Sequence, residues 1–173
     1  GQARLYKFFK LYLLPLTEKQ IALYVTGRFP FWHRGQRREA RRVISAIPEL
    51  SLRPMLLALV PDLVAQKRTV TELFELYEFM VESWLERESS WIDKARLRAF
   101  SEMLAVDVFL KRGERGFERI PRKDLIDLVE ISASDLDQWR LTARSLLNRD
   151  SAGNYKLSHR SIMEYLFVVA FLK

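Results

Sequence analysis

The chain has 173 residues, of which 49% are hydrophobic and 12% aromatic, and it carries a formal net charge of +7. This length and composition allow one sizeable core or two small ones, which argues against a disordered protein. The lack of cysteine excludes disulfides, thiolate catalysis and cysteine-based zinc sites, and two histidines alone do not favour a metal site.

No apolar run reaches the roughly 20 residues that a membrane-spanning helix needs. The first residues also lack the basic segment and apolar core of a signal peptide. We therefore expect a cytoplasmic protein that does not bind a membrane.

The first predicted element is the aromatic and apolar run Phe8–Leu14, which is typical of a buried strand and is ended by Pro15. Such a strand needs a sheet that the rest of the chain does not supply. The chain starts at Gly1 without an initiator methionine and ends just after the apolar run Val168–Leu172. A very apolar terminal helix normally needs a covering partner, so we expect an excised piece of a larger protein.

A capping box at Thr17–Gln20 predicts a helix that continues to about Phe29 and ends at Pro30. A second helix is predicted from about Gln36 to Ile47. This segment contains the densest basic cluster of the chain, which would permit binding to nucleic acid or an anionic surface. Helical spacing places the apolar residues on one face and the arginines on the other, which favours a plain solvated face. The apolar residues are Ala40, Val43, Ile44 and Ile47, and the arginines are Arg34, Arg37, Arg38, Arg41 and Arg42.

A third helix is predicted to begin near Ser51 or Leu52, with Pro54 in its first turn, and to run through Val60. Pro61 is expected to kink or end it.

A second capping box, Thr69–Glu72, predicts a long helix that continues to about Glu88. The polar segment that follows suggests a domain boundary near Ser89. The predicted domains are residues 1–16, 17–89 and 90–173.

The last domain is predicted to contain three helices, a β-hairpin and a final helix, which is a winged-helix order. The helices span Asp93 to about Leu110, Pro121 to Val129, and Ser132 or Ser134 to about Leu147; a turn is expected at 112–116, and the hairpin at 146–157. The predicted fold class is mainly α, a helical bundle followed by a winged-helix domain with a small β-hairpin.

The sequence contains no phosphate-binding loop, because its only close glycine pair, Gly113 and Gly116, is not followed by Lys-Ser or Lys-Thr. No catalytic residues are predicted. The acidic pairs Asp124/Asp127 and Glu86/Glu88 are interpreted as surface charge on exposed helices.

The two histidines differ in their predicted surroundings. His33 lies in a loop and has no identifiable partner. His159 lies at the beginning of the last helix, beside free backbone amides and the positive end of the helix dipole, where anions bind. A neutral imidazole there can donate one hydrogen bond to a phosphate. A capping or packing role is the alternative, and physical reasoning alone favours it.

The segment Ser158–Leu166 reads Ser-His-Arg-Ser-Ile-Met-Glu-Tyr-Leu and resembles the motif that closes the winged-helix domain of NACHT-type NTPases, a group within the STAND class of signal-transduction ATPases. Two further segments match in the family's order. Tyr12–Ile21 is similar to the junction between the nucleotide-binding sheet and the first helical domain, and Leu52–Leu57 to a proline-leucine motif. The sequence departs from the family at Arg53, where Asn or Gly is usual, and at Phe167–Val168, where a small pair is usual.

The resemblance implies a site, a cofactor and a function. His159 would reach the β-phosphate of bound ADP, and Pro54 would pack against adenine. Residues 1–16 would be the last strand and linker of a missing nucleotide-binding domain, which would also hold the P-loop and the magnesium ligands. The chain would be the regulatory, autoinhibitory part of a switch that closes on ADP and opens on ATP to oligomerise, and it would be inactive alone.

The partners implied are the missing N-terminal P-loop domain, a downstream sensor region of the same protein, and further copies in the active state. Nucleic acid is not an expected partner under this resemblance.

Two other functions remain open. In a DNA-binding winged helix, the helix from Ser134 to Leu147 would be the recognition helix, with Arg140, Arg144 and Arg149 on phosphates. Acidic residues at 135 and 137 would oppose that role, since they would repel phosphate. The other alternative is a helical scaffold that binds proteins.

Overall fold

The computed structural model describes residues 14–132 and 138–173, and over these residues the protein is mainly helical with a two-stranded antiparallel sheet. By its contacts the chain divides into two compact units, one ending at Leu73 and the other spanning Phe74–Lys173. Among the described residues, no helix has both the length and the apolar composition needed to cross a membrane.

The first unit contains α1 (Glu18–Arg28), α2 (Arg34–Ala46), α3 (Glu49–Leu52), α4 (Pro54–Leu57) and α5 (Val60–Ala65). The second contains α6 (Leu73–Glu88), α7 (Lys94–Arg115), α8 (Arg122–Ser132), α9 (Gln138–Arg144), β1 (Leu147–Arg149), β2 (Tyr155–Leu157) and α10 (Arg160–Phe171). The division falls just after Leu73, so the first residue of α6 is counted with the first unit. The compact units thus divide at the start of α6, whereas the sequence placed a domain boundary after this helix, near Ser89. The functional division into residues 1–16, 17–89 and 90–173 stays a prediction.

The capping box that starts α1 is confirmed. The hydroxyl of Thr17 accepts a hydrogen bond from the amide of Gln20 at 3.3 Å, and the side chain of Gln20 accepts one from the amide of Thr17 at 2.8 Å. An N-cap of this kind stabilises a helix by about 1 kcal/mol. The strand predicted for Phe8–Leu14 lies outside the described residues apart from Leu14.

The amphipathic character of α2 is confirmed. Its apolar residues pack into the core of the first unit: Ala40, Val43, Ile44 and, just after the helix, Ile47 are buried. The arginines of the same helix occupy the opposite, solvent-facing side, and only Arg37 among them is half-buried.

The continuous third helix predicted through Pro54 is wrong, because the segment forms the three short helices α3, α4 and α5. Arg53 interrupts the first two with an extended backbone (φ −132°, ψ 95°), the conformation that a residue before proline prefers. Pro54 then occupies the first position of α4, as predicted. Pro61 lies in the first turn of α5, so it begins a helix rather than ending one.

The break between α4 and α5 has a specific cause. Pro61 has no amide hydrogen, so it cannot donate to the carbonyl of Leu57 four residues earlier. That carbonyl instead accepts a hydrogen bond from the hydroxyl of Tyr24 at 3.1 Å. Burial raises the pKa of Tyr24 and keeps its hydroxyl protonated as the donor, although the charge of Arg28 acts in the opposite direction.

The long helix predicted up to Glu88 is confirmed as α6, but its predicted start is wrong. The helix begins at Leu73, so Thr69 is not its N-cap residue. Its inward face is apolar, with Leu76, Tyr77, Phe79, Val81, Trp84 and Leu85 buried.

The helix predicted to end near Leu110 continues as α7 to Arg115. Of the five residues in the turn expected at 112–116, only Gly116 lies outside the helix. Gly116 adopts a left-handed conformation (φ 70°) and ends the helix there. The extra turn is held by Arg115, whose guanidinium pairs with Asp107 at 2.7 Å and with Asp124 at 2.5 Å.

The rest of the second unit follows the predicted order of elements. Helix α8, helix α9, the hairpin and α10 come in that sequence, and α10 packs chiefly against α7. The helix predicted from Ser132 or Ser134 to about Leu147 corresponds to α9, but it ends earlier, at Arg144, and Leu147 begins β1. Ser132 is the last residue of α8, and residues 133–137 lie outside the described part of the chain. Assignment of this order to the winged-helix fold stays a prediction.

The hairpin turn is built around Asp150. Its carboxylate oxygen Oδ1 accepts hydrogen bonds from the amides of Ala152 and Asn154, both at 2.9 Å, and its Oδ2 pairs with Arg119 at 2.5 Å. Gly153 supplies the positive φ (86°) that the turn requires. Burial of the carboxylate raises its pKa, but these hydrogen bonds and the charge of Arg119 outweigh that effect, so the net pKa of Asp150 is lowered.

The lowered pKa gives the hairpin a pH dependence. A group with a depressed folded-state pKa stabilises the fold above its unfolded pKa, about 3.9 for Asp, and the effect is lost as the pH falls through the folded value. We therefore expect Asp150→Asn to destabilise the chain at pH 6 and to have a smaller effect below about pH 3. Urea unfolding of the parent and of Asp150→Asn between about pH 6 and pH 3 measures the difference in their free energies of unfolding. A difference that does not become smaller at acid pH would contradict the role given to the carboxylate.

Candidate functional site

His159 is the N-cap residue of α10, as the sequence predicted. Its backbone is extended (φ −142°, ψ 137°), and its carbonyl accepts hydrogen bonds from the amides of Ile162 and Met163 at 3.1 and 3.2 Å. The imidazole is exposed and makes no capping hydrogen bond. The side chain therefore does not fill the capping role that was its structural alternative.

The backbone around His159 is held from both sides. On the helix side, four side chains of α10 are buried, and these are Ile162, Met163, Tyr165 and Leu166. On the hairpin side, the amide and the hydroxyl of Ser158 both donate to the carbonyl of Leu146, at 2.8 and 2.9 Å. A free imidazole on a fixed backbone is a suitable arrangement for contacting a ligand.

The electrostatic field at this helix start comes from the backbone rather than from side-chain charge. The neighbouring Arg160 pairs with Glu164 at 3.0 Å and with Glu118 at 3.4 Å, so its charge is compensated. The first-turn amides and the helix dipole remain, and both favour an anion. The site can thus offer an anion one imidazole hydrogen bond and the positive end of a twelve-residue helix.

Tyr165 of the same motif is structural. It is 4% exposed and its ring lies 5.0 Å from that of Phe74 and 6.4 Å from that of Tyr77. Burial raises the pKa of its hydroxyl, although the nearby guanidinium of Arg98 acts in the opposite direction. Tyr165 therefore anchors α10 rather than contacting a ligand.

Pro54 lies at the exposed start of α4, while Leu56 and Leu57 behind it are buried. The ring is thus presented to solvent on a turn that the core and the Tyr24 hydroxyl hold in place. Arg53 has a negative φ, which any residue can adopt, so it does not strain the backbone before Pro54. Pro54 belongs to the first unit and His159 to the second, and each is exposed on its own unit.

Three of the four acidic residues interpreted as surface charge form ion pairs within the second unit. Asp124 contacts Arg115, Glu86 contacts Lys94 at 3.2 Å, and Glu88 contacts Arg144 at 3.1 Å. Over residues 14–132 and 138–173, no group of three or more His, Asp or Glu side chains is arranged to hold a metal ion.

Two arginines of the DNA-binding alternative, Arg144 and Arg149, contact other side chains of the second unit. Arg144 pairs with Glu88, and its guanidinium lies 4.6 Å from the ring centre of Trp91. Arg149 lies 6.0 Å from the ring centre of Tyr155. The acidic residues at 135 and 137 that argue against this function fall outside the described part of the chain.

Sequence reasoning missed Tyr24 as the residue that holds the Pro54 segment. The signal was present, since every buried carbonyl freed by a proline needs another donor. Which donor supplies it depends on tertiary structure, because Tyr24 and Leu57 are far apart in sequence.

No protein-family model, curated protein or solved structure matches the chain.

Proposed function

We propose that the chain is the nucleotide-sensing, autoinhibitory part of a NACHT-type ATPase switch. The observation that carries the proposal is His159, an exposed imidazole without a capping bond on an anchored helix, within a Ser-His-Arg-Ser-Ile-Met-Glu-Tyr-Leu segment. Its position favours an anion, and the resembling family uses this histidine to contact the β-phosphate of ADP.

In this proposal the neutral imidazole donates a hydrogen bond to ADP, and the first-turn amides of α10 add a favourable dipole. Pro54 offers its exposed ring to the adenine. The nucleotide itself is held by a P-loop domain that the 173 residues do not include, together with its magnesium. ADP then closes the switch because it contacts His159, and exchange for ATP removes that contact and permits oligomerisation. A ligand shifts such an equilibrium only by binding the two states differently, and the His159 contact supplies the difference.

The test is His159→Ala in the protein that contains this chain together with a P-loop domain. A hydrogen bond to a charged group contributes about 1.5–3 kcal/mol, so ADP affinity should fall about ten-fold or more. Affinity for ATP should change less, and the fraction of oligomer without stimulus should rise. Titration calorimetry and light scattering measure these three quantities.

The matched control is His33→Ala. His33 is also an exposed N-cap residue, of α2, and it also makes no capping hydrogen bond. It should leave ADP affinity and oligomerisation unchanged. If His159→Ala also leaves both unchanged, the scaffold function is favoured instead.

A further inference from the structure

We propose that the arginine side of α2, together with Phe31 and Trp32, is a binding site for single-stranded nucleic acid. The site lies entirely within the first unit and is independent of the nucleotide switch. We define the arginine side as Arg34, Arg37, Arg38 and Arg41, which line one surface cleft of about 330 Å³.

The spacing of these arginines makes a continuous stripe. Positions three, four and seven residues apart lie on one side of a helix, and seven residues extend over about 10 Å. The only acidic residue of α2, Glu39, is paired with Arg42 at 2.6 Å, outside the cleft. Over the described residues, none of the four arginines of the stripe makes an ion pair with a carboxylate.

Arg37 is held in place by the preceding helix. Its Nε donates to the carbonyl of Phe29 at 2.7 Å and its Nη2 to that of Thr26 at 3.2 Å, which satisfies carbonyl groups at the end of α1. A guanidinium has five N–H donors, so three remain for a phosphate. One member of the stripe is therefore ordered before any ligand binds, which lowers the entropic cost of binding.

Two large aromatic side chains lie at the start of the stripe. Phe31 and Trp32 are 67% and 66% exposed, and their rings meet edge to face at 4.8 Å. Exposed neighbouring aromatics are unusual outside binding surfaces. A basic groove that follows a phosphate backbone, with aromatic rings on which bases stack, is the usual arrangement for binding single strands.

A membrane surface fits these observations less well. Helices that lie on a membrane insert an apolar face along their length, but the apolar face of α2 is buried in the core through Ala40, Val43 and Ile44. Within the proposed site, the apolar side chains available to a bilayer are Phe31 and Trp32, which lie at one end of the stripe. A compact polyphosphate would use the arginines and leave Phe31 and Trp32 without a role.

The test uses the 173-residue chain and a fluorescein-labelled oligothymidylate of about ten nucleotides, a length within the range of known single-strand sites. Anisotropy should show binding that weakens about twenty-fold between about 50 and 200 mM salt, as expected for roughly three phosphate contacts. Arg38→Gln/Arg41→Gln should weaken binding at least ten-fold and flatten the salt dependence. Both residues are exposed, so the variant should keep the helical circular dichroism of the parent.

The charge-matched control is Arg140→Gln/Arg149→Gln in the second unit, which removes the same charge from the surface of the duplex-binding alternative. It should bind the strand as the parent does. Trp32→Ala should weaken binding about ten-fold, whereas Trp32→Phe should retain most of it because stacking only needs an aromatic face.

Three results would overturn the proposal. The first is no binding of the oligonucleotide at low salt. The second is equal weakening by the two double variants, which would mean that net charge alone attracts the strand. The third is that the Trp32→Ala variant binds the strand as tightly as the parent does, and that tripolyphosphate or phosphatidylserine vesicles displace the labelled strand as well as unlabelled strand does at equal phosphate concentration. That result would mean that the site recognises phosphate groups and not a single strand.

Discussion

Replacing Arg115 by alanine is expected to lower the free energy of unfolding of the second unit by about 3 kcal/mol. The Arg115 side chain is 8% exposed and joins the end of α7 to two carboxylates, those of Asp107 and Asp124. Asp107 is itself 6% exposed. Removing one partner from a buried ion pair leaves a charge without compensation, which costs far more than the pair contributes when intact.

The two carboxylates should respond differently to this substitution. Asp124 is 35% exposed and can be rehydrated, so most of the cost comes from Asp107. Asp107 keeps one further contact, with Lys111 at 2.6 Å, which limits the loss. Burial lowers the pKa of Arg115, but its bonds to Asp107 and Asp124 raise the pKa by more, so the arginine stays charged throughout the accessible pH range.

Hydrogen exchange of the α7 amides in urea isolates the unfolding of the second unit from that of the first. Lys111→Ala is the control, since it removes the exposed partner of Asp107 and should cost below about 1 kcal/mol. Adding Asp107→Asn to the Arg115→Ala variant should recover part of the lost stability. Recovery of none of it would mean that packing of the arginine stem, and not the stranded charge, causes the destabilisation.

The same ion pairs explain why the end of α7 was not predictable from the sequence. A polar stretch with two glycines, Gly113 and Gly116, is a normal signal for a turn. The helix continues past Gly113 because Arg115 pairs with a buried carboxylate on α7 and a partly exposed one on α8. Gly116 adopts the left-handed conformation that ends the helix. The first glycine thus lies inside a helix that tertiary contacts stabilise.

Three local signals were read correctly, whereas a fourth, the capping box at Thr69, was not. The capping box at Thr17, the Asp150 turn and the amphipathic face of α2 all depend on residues a few positions apart, and all three are present. The continuous helix through Pro54 failed for one local and one tertiary reason. Arg53 takes the extended conformation that a residue before proline prefers. Pro61 permitted either a kink or a break, and the hydroxyl of Tyr24 on α1 stabilises the break.

For the candidate site, too, the local features were predicted from the sequence and the features that depend on tertiary structure were not. A histidine at the first turn of the last helix is a local feature, and the structure confirms that His159 is an exposed N-cap residue. The ligand is not a local feature, because in the proposed function a separate domain would hold the nucleotide. For the arginines of α2, helical spacing predicted the outward face, but the shared cleft and the exposure of Phe31 and Trp32 are properties of the folded surface.

Leu166→Ala is expected to lower the free energy of unfolding of the second unit by about 2–5 kcal/mol. Leu166 is 0% exposed, and it lies in α10, which packs chiefly against α7. The substitution removes buried methyl groups and leaves a cavity that the surrounding side chains fill only in part. Since α10 carries His159 at its first turn, the same change should also increase exchange of the α10 amides under native conditions.

Leu172→Ala provides a matched control because it is the same substitution at the C-cap residue of the same helix, where the side chain is 77% exposed. It should change stability by less than about 0.5 kcal/mol. Leu166→Met keeps the volume and should cost less than about 1.5 kcal/mol. If Leu166→Ala lowers ADP affinity in the switch protein while Leu166→Met does not, the packing of α10 positions the imidazole, as the proposed function requires. Equal ADP affinity in both variants, with α10 exchange raised only in the first, would mean that nucleotide binding does not depend on this helix.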